Sequence, residues 1–263
     1  MSRVSPDPVP GIPEGSAAYY AHLFTPPERR PVLTALFALH REFDEISSRR
    51  GEAAVTQVKL QWWDDEIRRL AAGEPRHPVT TALAGEPSMP GTRDLLLEMV
   101  GCTAALAGAL RESAYDRAVE LECRRAAALL GAVARMLIDD DTADGEILLP
   151  ARNIGAGGRL VTLLRQEPAL LASGDQLVPE ARAGLDEGLR TIPSGHRPGL
   201  GPVLVFGQVH RLRLSRLGQP ADPGSRVAGA FATLREVMTA WQTARRAARA
   251  LAPAPVRESN HAA

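Results

Sequence analysis

The chain has 263 residues, of which 44% are apolar and 4% aromatic, and its formal net charge is zero. This apolar content can bury a sizeable core and excludes a chain that is disordered throughout. The balanced charge excludes a whole-molecule field that would attract nucleic acid, so any anion site has to be local.

The ends of the chain and its two cysteines bear on compartment and domain organisation. Residues 1–15 are broken by prolines and lack an apolar run, which predicts a flexible leader. We expect a single helical domain over 16–251 and a flexible tail over 252–263. Cys102 and Cys123 form no CxxC pair, which indicates reduced, buried thiols in a cytoplasmic protein.

Apolar residues recur at three- and four-residue spacing along most of the chain, whereas alternating β-branched runs are absent. This periodicity predicts an all-α fold. The acidic segment 139–144 is expected to be a loop. Helices are predicted over 31–49, 55–72, a short stretch from 77 or 78, 92–110, 115–138, 151–165, 179–190, 200–217 and 225–251.

Several segments follow one another in a recognisable order. They read SAAYYAHLFTPPERRPVLTALFALHREFDEI, VKLQWWDDEIRRLAAGEPRHPVTTAL, AYDRAVELECRRAAALLG, GAGGRLVTLLRQEPALLASGDQLVP and RPGLGPVLVFGQVHRLRLSRLG. In order and separation they resemble the squalene/phytoene synthase family of head-to-head prenyl diphosphate synthases, over residues 16–217. The resemblance implies an isoprenoid synthase-type bundle of antiparallel helices around a central apolar cavity that holds isoprenoid tails.

The resemblance further implies that two aspartate-rich helices face each other at the mouth of the cavity. Carboxylates one helical turn apart hold Mg²⁺ there, and the metal neutralises the departing diphosphate. The first cluster falls on Asp44 and Glu45, with Ser48 at the third acidic position. Arg41 matches an arginine that faces the diphosphate. Asp44 and Glu45 are therefore candidate metal ligands, and Arg41 is a candidate diphosphate-binding residue.

The second cluster is depleted. Its arginine corresponds to Arg165, a further diphosphate-binding candidate, but Gln166 and Leu170 stand where carboxylates are expected. A competing alignment places this cluster on DDDTADGEILLP, where Asp140 and Asp144 have the i, i+4 spacing of metal ligands. That placement deletes a whole helix, so the first alignment is preferred. Under the second, Asp140 and Asp144 become metal ligands.

Two functions of different class follow from these residues. The preferred hypothesis is a catalytically silent relative of the synthases, which needs no cofactor and uses the bundle to bind an isoprenoid or a partner protein. It resembles the branch with decayed motifs that includes an assembly factor for respiratory complex I, which implies a respiratory-complex partner. The alternative is an active Mg²⁺-dependent prenyltransferase that condenses two allylic prenyl diphosphates.

Two further expectations concern packing. His40 and His210 lie on apolar faces and are expected to be satisfied packing residues rather than bases. The helix over 200–217 is expected to be a core helix with a basic outer face. The alternative is an outer helix that contacts lipid headgroups. We expect no transmembrane segment. The expected location is therefore the cytoplasm, with peripheral contact to the inner membrane if the alternative holds.

Overall fold

The structure is a computed structural model that describes residues 11–48, 52–86, 88–138, 144–167, 169–170, 176–217 and 226–249. Over these residues the regular structure is helical. The α-helices are α1 (Ala17–Leu23), α2 (Arg30–Ser48), α3 (Ala53–Ala71), α4 (Pro78–Thr81), α5 (Met89–Arg111), α6 (Tyr115–Leu137), α7 (Asp144–Gln166), α8 (Leu177–Thr191), α9 (Gly201–Leu214) and α10 (Arg226–Arg249). A 3₁₀ turn, Pro27–Arg29, leads into α2.

Helix α1 was missed by the sequence analysis. Ser16 caps it, because the Ser16 hydroxyl accepts a hydrogen bond from the Tyr19 N–H at 3.0 Å. Residues 11–15, assigned to the leader, lie against the bundle. Ile12 is buried in the core, and the Gly15 carbonyl accepts a hydrogen bond from Arg213. Residues 1–10 and the tail 252–263 lie outside the described residues.

Helix α7 begins seven residues earlier than predicted. It starts at Asp144 and continues through Pro150, although proline cannot donate the i to i−4 bond. Ile147, Pro150 and Ile154 are all buried on one face of this helix, so tertiary packing offsets the lost backbone bond. The loop expected over 139–144 was therefore wrong at residue 144, which is helical. Residues 139–143 lie outside the described residues.

The core lies where α2, α5, α6, α7 and α9 pack together. Helix α6 is buried along most of its length and contacts both α5 and α7, while α8 covers the other side of α7. Close approach of α6 and α7 depends on Gly155, where an added Cβ would lie 2.3 Å from the Ala126 carbonyl oxygen. The glycine-rich start of GAGGRL is thus a packing feature.

Helix α9 is a core helix, as expected. Val203, Val205 and Val209 are fully buried, and α9 contacts α1, α7, α8 and α10. Arg211 lies on the exposed side of α9. This side is too narrow to form the apolar outer face that the alternative, a helix in contact with lipid, would need. Within the part of the chain that the structure describes, no helix is long and apolar enough to cross a membrane.

Candidate functional site

A pocket of about 360 Å³ lies among α1, α2, α6, α7 and α9. Its volume is at the small end of the range for ligand sites in proteins. Its apolar wall includes Ala17, Ala18, Phe37, Leu129, Leu130 and Phe206. Its polar wall includes His40, Arg41, Asp44, Arg159, Thr162, His210 and Arg213. The predicted site residues Arg41 and Asp44 therefore lie on the pocket wall.

Asp44 is held by a buried arginine from α6. The Arg125 side chain is fully buried, and its Nη2 donates to Asp44 Oδ1. The same nitrogen donates to Glu122 Oε2 at 2.8 Å, while Nη1 donates to the hydroxyls of Ser47 and Thr103, each at 3.4 Å. The first predicted metal ligand is thus already paired with an internal cation.

The ion pairs continue across the pocket to α7. Arg159 Nη2 lies 3.0 Å from Glu122 Oε2, and Arg159 Nε donates to the same oxygen at 3.1 Å. The result is an alternating chain of Asp44, Arg125, Glu122 and Arg159, which we call the rim chain. Helix α7 therefore brings the Arg159 guanidinium to the pocket wall that Asp44 also lines.

Two neutral imidazoles also line the pocket. Burial, together with Arg125 and Arg159, lowers the pKa of His40 well below its ordinary value. Burial, together with Arg213 and Arg165, lowers the pKa of His210 to about 3. Both side chains pack as expected, but the Nδ1 atom of each is buried without a hydrogen-bond partner, so the expectation that they would be satisfied was wrong.

The other residues of the first cluster pair locally. Glu45 is absent from the pocket wall, and its Oε1 lies 3.4 Å from Arg41 Nε one turn earlier on α2. Ser48, at the third acidic position, donates to the Glu45 carbonyl at 3.3 Å. Among the described residues, no group of three or more histidine, cysteine, aspartate or glutamate side chains is arranged to hold a metal ion.

The residues aligned with the second cluster lie beyond the pocket. Thr162 is the last α7 residue on the pocket wall, and Arg165 follows one turn later. Burial and the neighbouring Arg213 lower the pKa of Arg165. Gln166 is exposed at the end of α7, and Leu170 is half-buried.

The competing alignment falls at the opposite end of α7. Asp144 is the first residue of that helix, and Asp140 lies outside the described residues. Gly155 is the first α7 residue that lines the pocket. At 1.5 Å per residue, it lies about 16 Å along the helix axis from Asp144.

Sequence reasoning missed the charged residues of the rim chain other than Asp44. Arg125, Glu122 and Arg159 were not singled out. One signal was available for Arg125: it lies four residues from both Leu121 and Leu129, so it falls on the buried face of α6. Its partner Asp44 is 81 residues away in the chain, and helical periodicity cannot predict that contact.

Comparison with known structures identifies the fold. The crystal structure of a dehydrosqualene synthase in complex with ligand is similar over 88% of this chain and 92% of that chain, with a TM-score of 0.59 and 14% sequence identity. The chain has the all-α isoprenoid synthase fold, and the predicted fold class is confirmed.

Comparison of sequences gives a match over part of the chain. Residues 13–99 match the family model described as squalene/phytoene synthase. No curated protein sequence matches the chain. The sequence similarity to this family is thus shown for the N-terminal part of the chain, whereas the structural similarity extends over most of it.

Proposed function

We propose that this protein is a catalytically silent relative of the squalene/phytoene synthases that binds an isoprenoid in its pocket. The observation that carries the proposal is the rim chain, in which Arg125 forms an ion pair with the carboxylate of Asp44. Metal-dependent departure of diphosphate requires carboxylates that are free to bind Mg²⁺. Here the best-placed carboxylate neutralises a buried guanidinium instead.

The residues around the pocket do not fit a magnesium cluster. A divalent cation beside Asp44 would lie next to Arg125 and within the field of Arg159, and both would repel it. Turning Asp44 towards a metal would also take from the buried Arg125 guanidinium one of its two carboxylate partners, which is unfavourable. The distance of Asp144 from the pocket weighs against its acting as a ligand opposite Asp44.

The pocket retains features that suit an isoprenoid. Its apolar wall brings together Phe37, Leu129, Leu130 and Phe206, which can bury a hydrocarbon chain. Arg41 and Arg213 at its polar side can contact an anionic or polar head without a metal. The neutral imidazoles of His40 and His210 add no charge to this wall.

Activity tests separate silence from the alternative, an active Mg²⁺-dependent prenyltransferase. We expect farnesyl or geranylgeranyl diphosphate with Mg²⁺ to give no more diphosphate release from the native protein than from Asp44→Ala. The matched control is Asp64→Ala, which removes a carboxylate on α3 that pairs with Arg68 at 2.7 Å. Release that is abolished by Asp44→Ala and retained by Asp64→Ala would overturn the proposal of silence.

Binding is tested separately with farnesol and farnesyl diphosphate by isothermal titration calorimetry. Thr162→Phe fills the pocket from α7 and should weaken binding at least tenfold. Gln166→Phe adds the same ring to the same helix at an exposed position outside the pocket wall and should leave binding unchanged. Equal affinity of the two variants would contradict binding in this pocket.

The assembly role stays a prediction by analogy with the complex I assembly factor. Neither the family match nor the fold bears on a respiratory-complex partner.

A further inference from the structure

An exposed apolar stripe runs along the outer face of α10. Leu234, Val237, Met238 and Trp241 follow the spacing i, i+3, i+4 and i+7, which places them on one side of the helix. They are large apolar side chains, yet Leu234 is 55% exposed and Trp241 is 42% exposed. We call these four residues the α10 stripe.

The opposite face of α10 already attaches the helix to the bundle. Ala240 and Ala247 are buried there, and α10 packs against α9. Glu236 is also on that face, and its Oε2 accepts a hydrogen bond from Arg213 at 2.8 Å. Over the residues that the structure describes, α10 is thus attached to the bundle mainly by the face that does not carry the α10 stripe.

Exposed arginines surround the α10 stripe. Arg235, Arg245, Arg246 and Arg249 are exposed on α10, and the one acidic residue in its sequence, Glu236, is buried and paired. The Arg245 guanidinium lies over the Trp241 ring, with its Cζ 5.0 Å from the ring centroid. The outer face of the helix thus combines apolar side chains with unopposed positive charge.

We propose that the outer face of α10 binds the surface of an anionic phospholipid bilayer, with the α10 stripe in the acyl boundary and the α10 arginines on lipid phosphates. A basic amphipathic helix with tryptophan on its apolar side has this preference. A second copy of the chain is a poorer occupant, because the arginines of two facing α10 helices would repel each other. The proposal is independent of activity and of isoprenoid binding.

Vesicle flotation tests the proposal with the full-length protein. We expect co-flotation with vesicles of equal parts phosphatidylcholine and phosphatidylglycerol, loss of binding with phosphatidylcholine alone, and weakening at high ionic strength. Leu234→Glu/Trp241→Glu should reduce the bound fraction at least tenfold. Arg245→Gln/Arg246→Gln/Arg249→Gln should reduce binding to the anionic vesicles several-fold.

The matched control is Val58→Glu, because Val58 on α3 is 70% exposed and lies outside the α10 stripe. It should float like the native protein. Brominated acyl chains should quench tryptophan fluorescence in the native protein and not in Trp241→Phe. Absence of flotation, equal loss in Val58→Glu, or a dimer in sedimentation that the stripe variant dissolves would each overturn the proposal.

Discussion

Arg125 is a fully buried cation whose four hydrogen-bond partners come from three helices. Asp44 and Ser47 lie on α2, Thr103 lies on α5, and Glu122 precedes Arg125 by one turn on α6. Because an unpaired buried charge is costly, these partners and the guanidinium depend on one another. One residue thus links three helices and also engages the Oδ1 atom of Asp44 in an ion pair.

Replacing Arg125 with methionine, which keeps the apolar stem and removes the charge, should lower the free energy of unfolding by about 3 kcal/mol. Asp44 and Ser47 would lose a buried partner. Urea denaturation measures the change. Arg124→Met is the control: its neighbouring guanidinium is half exposed and lies 3.6 Å from Glu98, so its loss should cost less than about 1 kcal/mol. Equal costs would show that the rim chain contributes little to folding.

At the residue level the sequence placed Arg41 and Asp44 correctly on one helix, because a single helical pattern relates them. It could not predict that Asp44 would be neutralised, since that depends on α6 packing against α2. His40 and His210 were likewise assigned to apolar faces from periodicity. Their unpartnered Nδ1 atoms depend on tertiary neighbours that no local pattern encodes.

Glycine residues allow helix α7 to pack closely against three neighbouring helices. An added Cβ at Gly155 would meet the Ala126 carbonyl oxygen on α6, and one at Gly158 would lie 2.8 Å from Phe206 Cε1 on α9. At Gly157 the neighbour is the Ala181 carbonyl oxygen of α8, at 2.9 Å. Three close contacts with three different helices, made within four residues, explain why glycine is used despite its poor helix propensity.

Gly155→Ala should therefore lower the free energy of unfolding by about 3 kcal/mol, because the clash at Gly155 is with backbone atoms that cannot rotate away. Gly101→Ala is the matched control in α5, where nothing lies within 4 Å of an added Cβ. It should raise stability by about 0.5 kcal/mol, since alanine favours helix. Thermal denaturation distinguishes the two. Similar effects of both substitutions would refute tight packing of α6 on α7.

Several long helices were predictable because their apolar periodicity is strong, as in α2, α6 and α8. The exceptions have physical reasons. Helix α1 is seven residues long, too short for periodicity to stand out. Helix α7 contains Pro150 and was predicted only from residue 151, whereas burial of the surrounding face stabilises the helix across the proline.

Over the whole molecule, buried titratable groups make stability depend on pH in two ranges. His40 and His210 are neutral inside the pocket. Glu66 is buried beneath α4. Burial alone would raise its pKa, but hydrogen bonds from Thr80, His77 N–H, Arg76 N–H and Arg69 outweigh burial and lower the pKa to about 2.

The signs of the two contributions follow from proton binding. Below pH 6.5 the unfolded chain protonates histidines that the folded protein keeps neutral, so stability falls as pH decreases from 6.5. Each such histidine costs about 1.4 kcal/mol per pH unit within that range. Glu66 contributes stability that is complete above its ordinary pKa of 4.5 and is lost as pH falls towards 2.

We therefore expect urea denaturation to give a free energy of unfolding that declines from pH 6.5 to 5, above the range in which most of the Glu66 contribution is lost. His210→Gln removes one titrating group, so its curve should be shallower by about 1.4 kcal/mol per pH unit. Phe206→Leu perturbs the packing next to His210, whose ring centroid lies 4.6 Å away. It should lower stability equally at every pH, because no titrating group changes. If His210→Gln runs parallel to the native protein over this range, His210 is not held neutral in the folded state, and the pocket is more open to water than its burial indicates.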